Sequence, residues 1–189
     1  MVVRMSKKAW LTVAVVIVVG ATVGITLSHT SCSPSDSTLL SQNATDFTLP
    51  TMTGDNITLS QLQGTPVVLN FWSVSCAYCR AQLHYLEAVA QRSEGEIKVI
   101  AINMIDNAAS VQVFFGDYEP IMIIALDVNR EIFADYCQKY GNPRTYVPFT
   151  LFVDNEGMVQ YVRVGAFASE AALWQTLNDV LGITVPQTS

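Results

Sequence analysis

The pair Cys76 and Cys79 directly follows an apolar run at 66–72 that reads PVVLNFW. The run has the length and the β-branched start of a buried strand, and the residues after Cys76 follow the periodicity of a helix. Cys76 is therefore predicted at a helix N-terminus, where free N–H groups and the helix dipole favour a thiolate. Cys79 is predicted one helical turn further on, close enough to form a disulfide with Cys76. The arrangement predicts reversible dithiol chemistry with these two residues as the reacting groups.

Zinc sites use the same spacing, but they need a second cysteine pair or a cluster of cysteine and histidine. The chain has no second CxxC motif and no HxxxH motif. Its other cysteines are Cys32 and Cys137, and its histidines are His29 and His84. The sequence therefore predicts no metal site and no bound cofactor.

The segment 9–27 carries no charged residue and is long enough to span the hydrocarbon core of a bilayer. Arg4, Lys7 and Lys8 precede it without any acidic residue, which predicts a cytoplasmic N-terminus at 1–8 and export of the rest. The segment is predicted to be a membrane anchor or a cleaved signal. A third alternative is a lipoprotein signal, because Thr-Ser-Cys at 30–32 resembles a bacterial lipobox with Cys32 as the lipidated residue. All three alternatives predict an extracytoplasmic domain, and the anchor and the lipid place it at the cell membrane.

The exported part is acidic. Seven of the ten Lys and Arg residues follow residue 27, together with all sixteen Asp and Glu residues. Binding to nucleic acid depends on clustered Lys and Arg that contact phosphates. The composition therefore argues against nucleic acid as a partner.

Residues 28–43 are rich in Ser, Pro, Asp and Gln and are predicted to form a flexible tether, followed by one domain at 44–185. Within the domain, hydrophobic periodicity and turn residues predict these elements in chain order: a hairpin of strands 47–49 and 57–59, strand 67–72, the helix after Cys76, strand 97–103, helix 108–118, strand 121–126, helix 131–140, strands 149–153 and 159–164, and a helix capped by Ser169 and ended by Gly182. This order predicts an α/β fold with one central mixed sheet flanked by helices and preceded by an N-terminal hairpin.

Several segments carry a resemblance to a known family. They are ATDFTL at 44–49, LSQLQG at 59–64, the strand and CxxC motif at 67–79, and VPFTLFVD at 147–154. In this order and spacing they resemble the membrane-tethered thioredoxin-like proteins of the TlpA/ResA/CcmG group over about residues 44–182. The resemblance implies a thioredoxin-like fold and an enzyme, a protein thiol–disulfide oxidoreductase.

The resemblance also implies roles for matched residues. Cys76 would be the thiol that attacks a substrate disulfide, and Cys79 would be the thiol that resolves the mixed disulfide. Val147 and Pro148 match the family's cis-proline, which lies beside the dithiol and leaves the preceding backbone free to pair with substrate. Asp106 matches an acidic residue near the active site that would relay protons for Cys79, with a solvated loop carboxylate as the alternative.

The chain departs from the family pattern at several positions. Ser75 stands where relatives usually carry Trp, and Gln82 stands where they often carry Glu. Cys137 has two interpretations, a semi-buried structural thiol or a third redox thiol in an oxidising compartment. Cys32, if it is not lipidated, is an idle thiol of the tether.

The implied function is reduction of protein disulfides outside the cytoplasm. In this family the usual substrates include the cysteines of apocytochrome c before haem attachment, and a membrane protein supplies the electrons. A DsbA-like oxidase would carry a large helical insertion, and the segment between residues 103 and 148 is too short to hold one.

There are two alternative functions, a peroxiredoxin, which shares the fold, and a copper-binding module. A peroxiredoxin needs Thr or Ser three residues before its reactive cysteine and Pro seven before; Ser73 meets the first requirement, whereas Leu69 occupies the second position. A copper-binding assembly module of the Sco kind would use thiolates for Cu(I), but with CxxxC spacing and a distal histidine. His84 lies too near the motif for that role.

Overall fold

The computed structural model describes residues 37–184 of the chain. The membrane or signal segment predicted at 9–27, Cys32 and the start of the predicted tether lie outside the described residues. No helix within 37–184 combines the length and the apolar character needed to cross a bilayer.

The described part contains strands and helices that alternate for much of the chain. In chain order they are β1 (Ser37–Asn43), β2 (Thr48–Pro50), β3 (Asn56–Thr58), a short 3₁₀ helix (Leu59–Leu62), β4 (Val67–Trp72), α1 (Ala77–Arg92), β5 (Lys98–Asn103), α2 (Ala108–Phe115), β6 (Ile123–Leu126), α3 (Glu131–Lys139), β7 (Phe149–Val153), β8 (Met158–Val164) and α4 (Glu170–Leu181). The N-terminal hairpin predicted from sequence is present as β2 paired with β3.

One mixed sheet of six strands has the order β1-β8-β7-β4-β5-β6. Strand β4 lies at its centre, parallel to β5 and antiparallel to β7. All six residues of β4 are buried, as expected for a strand covered on both faces. The predicted α/β arrangement around a mixed sheet is confirmed.

Alternate residues of β4 face two separate hydrophobic cores. Val68 and Trp72 belong to the core that also contains Cys79 of α1 and Trp174 of α4. On the other face lies a second core, which packs Phe71 of β4 together with the aromatic side chains of α3. The sheet therefore separates α1 and α4 from α3.

The prediction of a flexible tether at 28–43 is wrong for its last seven residues, because Ser37–Asn43 forms the edge strand β1. It pairs antiparallel with β8, and Tyr140 Oη donates to the Asn43 carbonyl oxygen at 2.9 Å. An edge strand obtains its hydrogen bonds from the main chain of its neighbour, so a polar sequence can form one without an apolar pattern. The folded domain thus begins before residue 44.

Three strand pairings fix the end of the sheet at which β1 begins. Ser37 lies opposite Arg163, the neighbouring Val164 lies opposite Phe149, and Phe149 lies opposite Phe71 near the end of β4. The N-terminal end of β1 therefore lies at the same end of the sheet as the turn from β4 into α1.

Candidate active site

Cys76 lies where the central strand turns into a helix. Strand β4 ends at Trp72, and Cys76 is the N-cap of α1 with an extended backbone, φ −84° and ψ 106°. Its Sγ accepts the backbone N–H of Cys79 at 3.1 Å. The sulfur thus takes the place of the oxygen that usually caps a helix, which is the position expected from the sequence.

Cys76 and Cys79 form a disulfide, and their Cα atoms are 5.2 Å apart. Cys79 has no exposed surface, whereas Cys76 is half-buried and the neighbouring Tyr78 is 75% exposed. An approaching thiolate can therefore reach the sulfur of Cys76 but not that of Cys79. The two cysteines are chemically unequal because of their burial.

The start of α1 favours a thiolate at Cys76 when the pair is reduced. The first turn of α1 contains no acidic residue. Arg80 donates to the Val74 carbonyl oxygen at 3.0 Å, which places a positive charge beside the turn that leads into Cys76. The Asp106 carboxylate accepts the Val74 N–H in the same turn and opposes this charge, so the helix terminus is the feature that favours the thiolate.

The loop before β7 lies against Cys76. The Val147–Pro148 peptide bond is cis, and the Val147 carbonyl oxygen lies 3.8 Å from Cys76 Sγ. The Pro148 carbonyl oxygen accepts the N–H of Gly165 at 2.8 Å, which ties the loop to the end of β8. The Val147 N–H has no hydrogen-bond partner among residues 37–184.

A groove of about 530 Å³ runs beside this loop. Its walls come from α1, the Val147–Pro148 loop and the segment after β8, and they include Tyr78, Tyr85, Pro148 and Phe167. The groove is therefore mainly apolar, and it shares Val147 with the contact to Cys76.

Asp106 lies behind the turn that precedes Cys76. Its Oδ2 accepts the Val74 N–H at 2.8 Å and the Asn103 side-chain amide at 2.9 Å. The carboxylate is half-buried and holds the turn, so it is not simply a solvated loop acid. Proton relay to Cys79 stays a prediction.

One feature of the site was missed in the sequence. Asn70 of β4, Gln82 of α1 and Thr150 of β7 have no exposed surface and are hydrogen-bonded to one another. Asn70 is the only polar residue in the apolar run of β4, which was the available signal. Gln82 falls at the spacing of the buried face of α1, three residues after Cys79.

Cys137 of α3 is not brought to the disulfide. It is 3% exposed and belongs to the core on the face of the sheet opposite to Cys79. Burial raises the pKa of Cys137 to about 11, so this thiol stays protonated at neutral pH. The geometry favours the structural interpretation over the third redox thiol.

Ser73, Leu69 and His84, the residues considered for the alternative functions, are not brought together, although Ser73 lies in the turn before Cys76 and its carbonyl oxygen accepts the Cys76 N–H at 3.2 Å. Ser73 is buried, with its Oγ 3.4 Å from Ser75 Oγ, and Leu69 is enclosed in the middle of β4. His84 is exposed on α1. In the part of the chain that the structure describes, no group of three or more His, Cys, Asp or Glu side chains is arranged to hold a metal ion.

Comparison with known proteins identifies one matching family and several similar proteins. The model of the AhpC/TSA family matches residues 40–162. The chain is 28% identical over 166 residues to the thioredoxin-like protein YneN of Bacillus subtilis, covering 86% of this chain and 94% of YneN. It is 24% identical over 177 residues to the thiol-disulfide oxidoreductase ResA of the same species, covering 93% and 94% of the two chains.

Among solved structures, the chain resembles the thiol:disulfide interchange protein DsbE from Chlorobium tepidum. The TM-score is 0.64 at 25% sequence identity, with 75% of this chain and 98% of the other covered. The fold is thus thioredoxin-like.

Proposed function

The chain belongs to the AhpC/TSA family, and from this premise we propose that it exchanges electrons with the cysteines of other proteins through Cys76 and Cys79. The chain is a thioredoxin-like thiol–disulfide oxidoreductase, as are the relatives it resembles. The observation that carries the proposal is the unequal disulfide at the start of α1, with Cys76 accessible and Cys79 enclosed.

In the reducing direction the cycle begins with the dithiol form. The Cys76 thiolate attacks one sulfur of a substrate disulfide and forms a mixed disulfide, and the other substrate sulfur leaves as a thiolate and is protonated by solvent. Cys79 then loses its proton and attacks Cys76 Sγ, which releases the second substrate thiolate. Two electrons have passed to the substrate, and the Cys76–Cys79 disulfide is the product.

The backbone around Val147 supports a protein as the substrate. Its N–H is without a partner among the described residues, and its carbonyl oxygen lies beside Cys76. An extended substrate segment would pair with this backbone as an added strand, while its cysteine lies at Cys76. Val147 and Pro148 are thus proposed as substrate-binding residues.

We further propose that the protein acts outside the cytoplasm as a reductase held at the cell membrane. Support comes from the apolar segment at 9–27 with Arg4, Lys7 and Lys8 before it. In the family that the chain resembles, apocytochrome c is a usual substrate and a membrane protein donates the electrons, and both are proposed as partners here.

The exchange activity is tested with purified protein, insulin as substrate and a small dithiol as the electron donor. We expect insulin reduction that Cys76→Ala abolishes and that Cys137→Ala leaves unchanged. Retained turnover in the Cys76→Ala variant would contradict the assignment. In cells, Cys79→Ala should trap mixed disulfides on Cys76, and mass spectrometry of the trapped proteins identifies the substrates.

The location is tested separately. External protease should digest the domain in spheroplasts but not in intact inverted vesicles. Mass spectrometry of the mature N-terminus then distinguishes a retained Met1, a lipid on Cys32 and a cleaved signal. Protection of the domain in spheroplasts would rule out export.

A further inference from the structure

A single amide connects the three chain segments that surround the groove beside Cys76. Gln82 Nε2 donates to Asn70 Oδ1 at 2.7 Å and to Thr150 Oγ1 at 2.9 Å. Gln82 Oε1 accepts the backbone N–H of Phe167 at 2.9 Å. Both polar atoms of the Gln82 side chain therefore form hydrogen bonds, and the three bonds reach three different segments of the chain.

Two of the partners of Gln82 lie on or beside the two walls of the groove that face α1. Thr150 lies two residues after Pro148, and Phe167 belongs to the segment after β8. Gln82 itself lies three residues after Cys79 on α1. One side chain thus sets the position of the cysteine-bearing helix relative to the cis-proline strand and to Phe167.

Stability alone is a poor explanation for this cluster. Burying amides in an apolar core costs free energy unless all donors and acceptors are paired. Asn70 Nδ2 is buried and has no partner among the described residues. A fully apolar set of the same shape would avoid that cost. The cluster therefore calls for a role besides stability.

We propose that Gln82 is a positioning residue for exchange with protein substrates. Its amide fixes Phe167 as the far wall of the groove and keeps α1 in register with the strand after Pro148. The occupant of the groove is an apolar side chain that neighbours the reacting cysteine of an extended protein segment. This inference rests on the proposed function. It adds that correctly placed groove walls are needed for exchange with proteins but not with small disulfides.

The occupant follows from the dimensions and the lining. A substrate cysteine bonded to Cys76 Sγ lies beside Val147, and an extended chain advances about 3.3 Å per residue. The side chains next to that cysteine therefore reach the groove, where they meet Tyr78, Tyr85 and Phe167. An apolar side chain gains from burial on these aromatic surfaces, whereas a charged one would lose hydration.

The test compares Gln82→Met with Gln91→Met. Methionine has nearly the length of glutamine but cannot make the three hydrogen bonds, and Gln91 is an exposed glutamine on the same helix. Reduction of insulin and of a small aromatic disulfide are measured side by side. Displacing the groove walls relative to Cys76 predicts that Gln82→Met raises KM for insulin by about tenfold to a hundredfold. The rate with the small disulfide should stay near that of the unchanged protein, and Gln91→Met should alter neither.

A second variant keeps the inference testable if Gln82→Met folds poorly. Gln82→Glu retains the shape and, when protonated, a donor and an acceptor. Burial shifts such a carboxyl toward titration at higher pH, and its ionised form has no donor for Asn70 or Thr150, so the positioning bonds are lost as it ionises. We expect the rate of Gln82→Glu with insulin, but not its rate with the small disulfide, to fall as pH rises through an added inflection. The unchanged protein and Gln91→Glu should lack that inflection.

The outcomes distinguish failure of the proposed exchange function from failure of the positioning role of Gln82. If the unchanged protein reduces neither disulfide, the proposed function fails and this inference fails with it. If the unchanged protein reduces both disulfides, an equal loss with both disulfides in Gln82→Met, or no loss with either, overturns the positioning role alone. An added inflection in Gln82→Glu that appears with both disulfides, or with neither, also overturns it.

Discussion

The Val147 carbonyl oxygen lies 3.8 Å from Cys76 Sγ, although 71 positions separate the two residues in the sequence. The contact arises because β7, which follows the loop, pairs directly with β4, which leads into the helix. The sulfur proposed to attack substrates and the backbone proposed to pair with them thus meet where β4 ends and β7 begins.

Reduced protein should react first at Cys76. Its sulfur caps α1 and is partly accessible, whereas Cys79 is enclosed. The thiolate is the form that alkylates, and it is favoured at a helix N-terminus. Brief treatment with iodoacetamide at mildly acidic pH, followed by peptide mass spectrometry, should find the label on Cys76. Equal labelling of Cys76 and Cys79 would contradict the geometry.

Replacing Asp106 separates its structural role from the predicted proton relay. Asp106→Ala leaves the Val74 N–H and the Asn103 amide without an acceptor, which should lower the free energy of unfolding by about 1–3 kcal/mol in urea titrations. Asp106→Asn keeps one acceptor oxygen and should retain most of that stability. If Asp106 relays protons, Asp106→Asn nevertheless slows closure of the Cys76–Cys79 disulfide in stopped-flow experiments. Closure at the normal rate would refute the relay.

Cys137 should make the stability depend on alkaline pH. Burial raises its pKa from 9.0 to about 11, so the unfolded chain loses this proton at a lower pH than the folded protein does. The contribution to stability is thus complete below pH 9 and is lost as the pH rises from 9 to 11. Urea unfolding of the unchanged protein and of Cys137→Ala should show the difference between them shrinking across that window. A constant difference would argue against a buried thiol.

Removal of β1 should destabilise the domain. A chain that begins at Ala44 lacks the ladder between β1 and β8 and the bond from Tyr140 to Asn43. With a net value of about 1 kcal/mol per hydrogen bond, we expect a loss of about 2–5 kcal/mol relative to a chain that begins at Ser37. Thermal and urea unfolding of the two chains measure it. Equal stability would mean that the domain begins at residue 44, as the sequence predicted.

The accuracy with which each strand or helix was predicted depends on how local its sequence signal is. The apolar run of β4 is a strong local signal, and the structure places the strand at the residues predicted, Val67–Trp72. Ser169 caps the last helix as predicted, with its Oγ accepting the Ala172 N–H at 3.1 Å. In contrast, α2 ends at Phe115 rather than at residue 118, because Gly116 adopts a positive φ of 61°.

The site was predicted where chemistry is local and missed where it depends on distant partners. The buried strand before the CxxC motif and the helical periodicity after it are both local signals, so Cys76 and Cys79 were found from this one segment of the sequence. Gln82 is paired with residues 12 and 68 positions away, and such partners are visible only once the strands are in order. Asp106 was found through family resemblance, but its bond to Val74 depends on β4 and β5 lying side by side.

The direction of β1 has a practical consequence for handling the protein. Ser37 lies at the end of the sheet that carries Cys76, whereas Leu181 lies near Gly64 and Asp154 at the opposite end. Attaching the domain to a sensor surface through its C-terminus would therefore turn the disulfide outward. A bulky fusion partner joined immediately before Ser37 would instead crowd the entrance used by substrates, and only a long spacer would restore access.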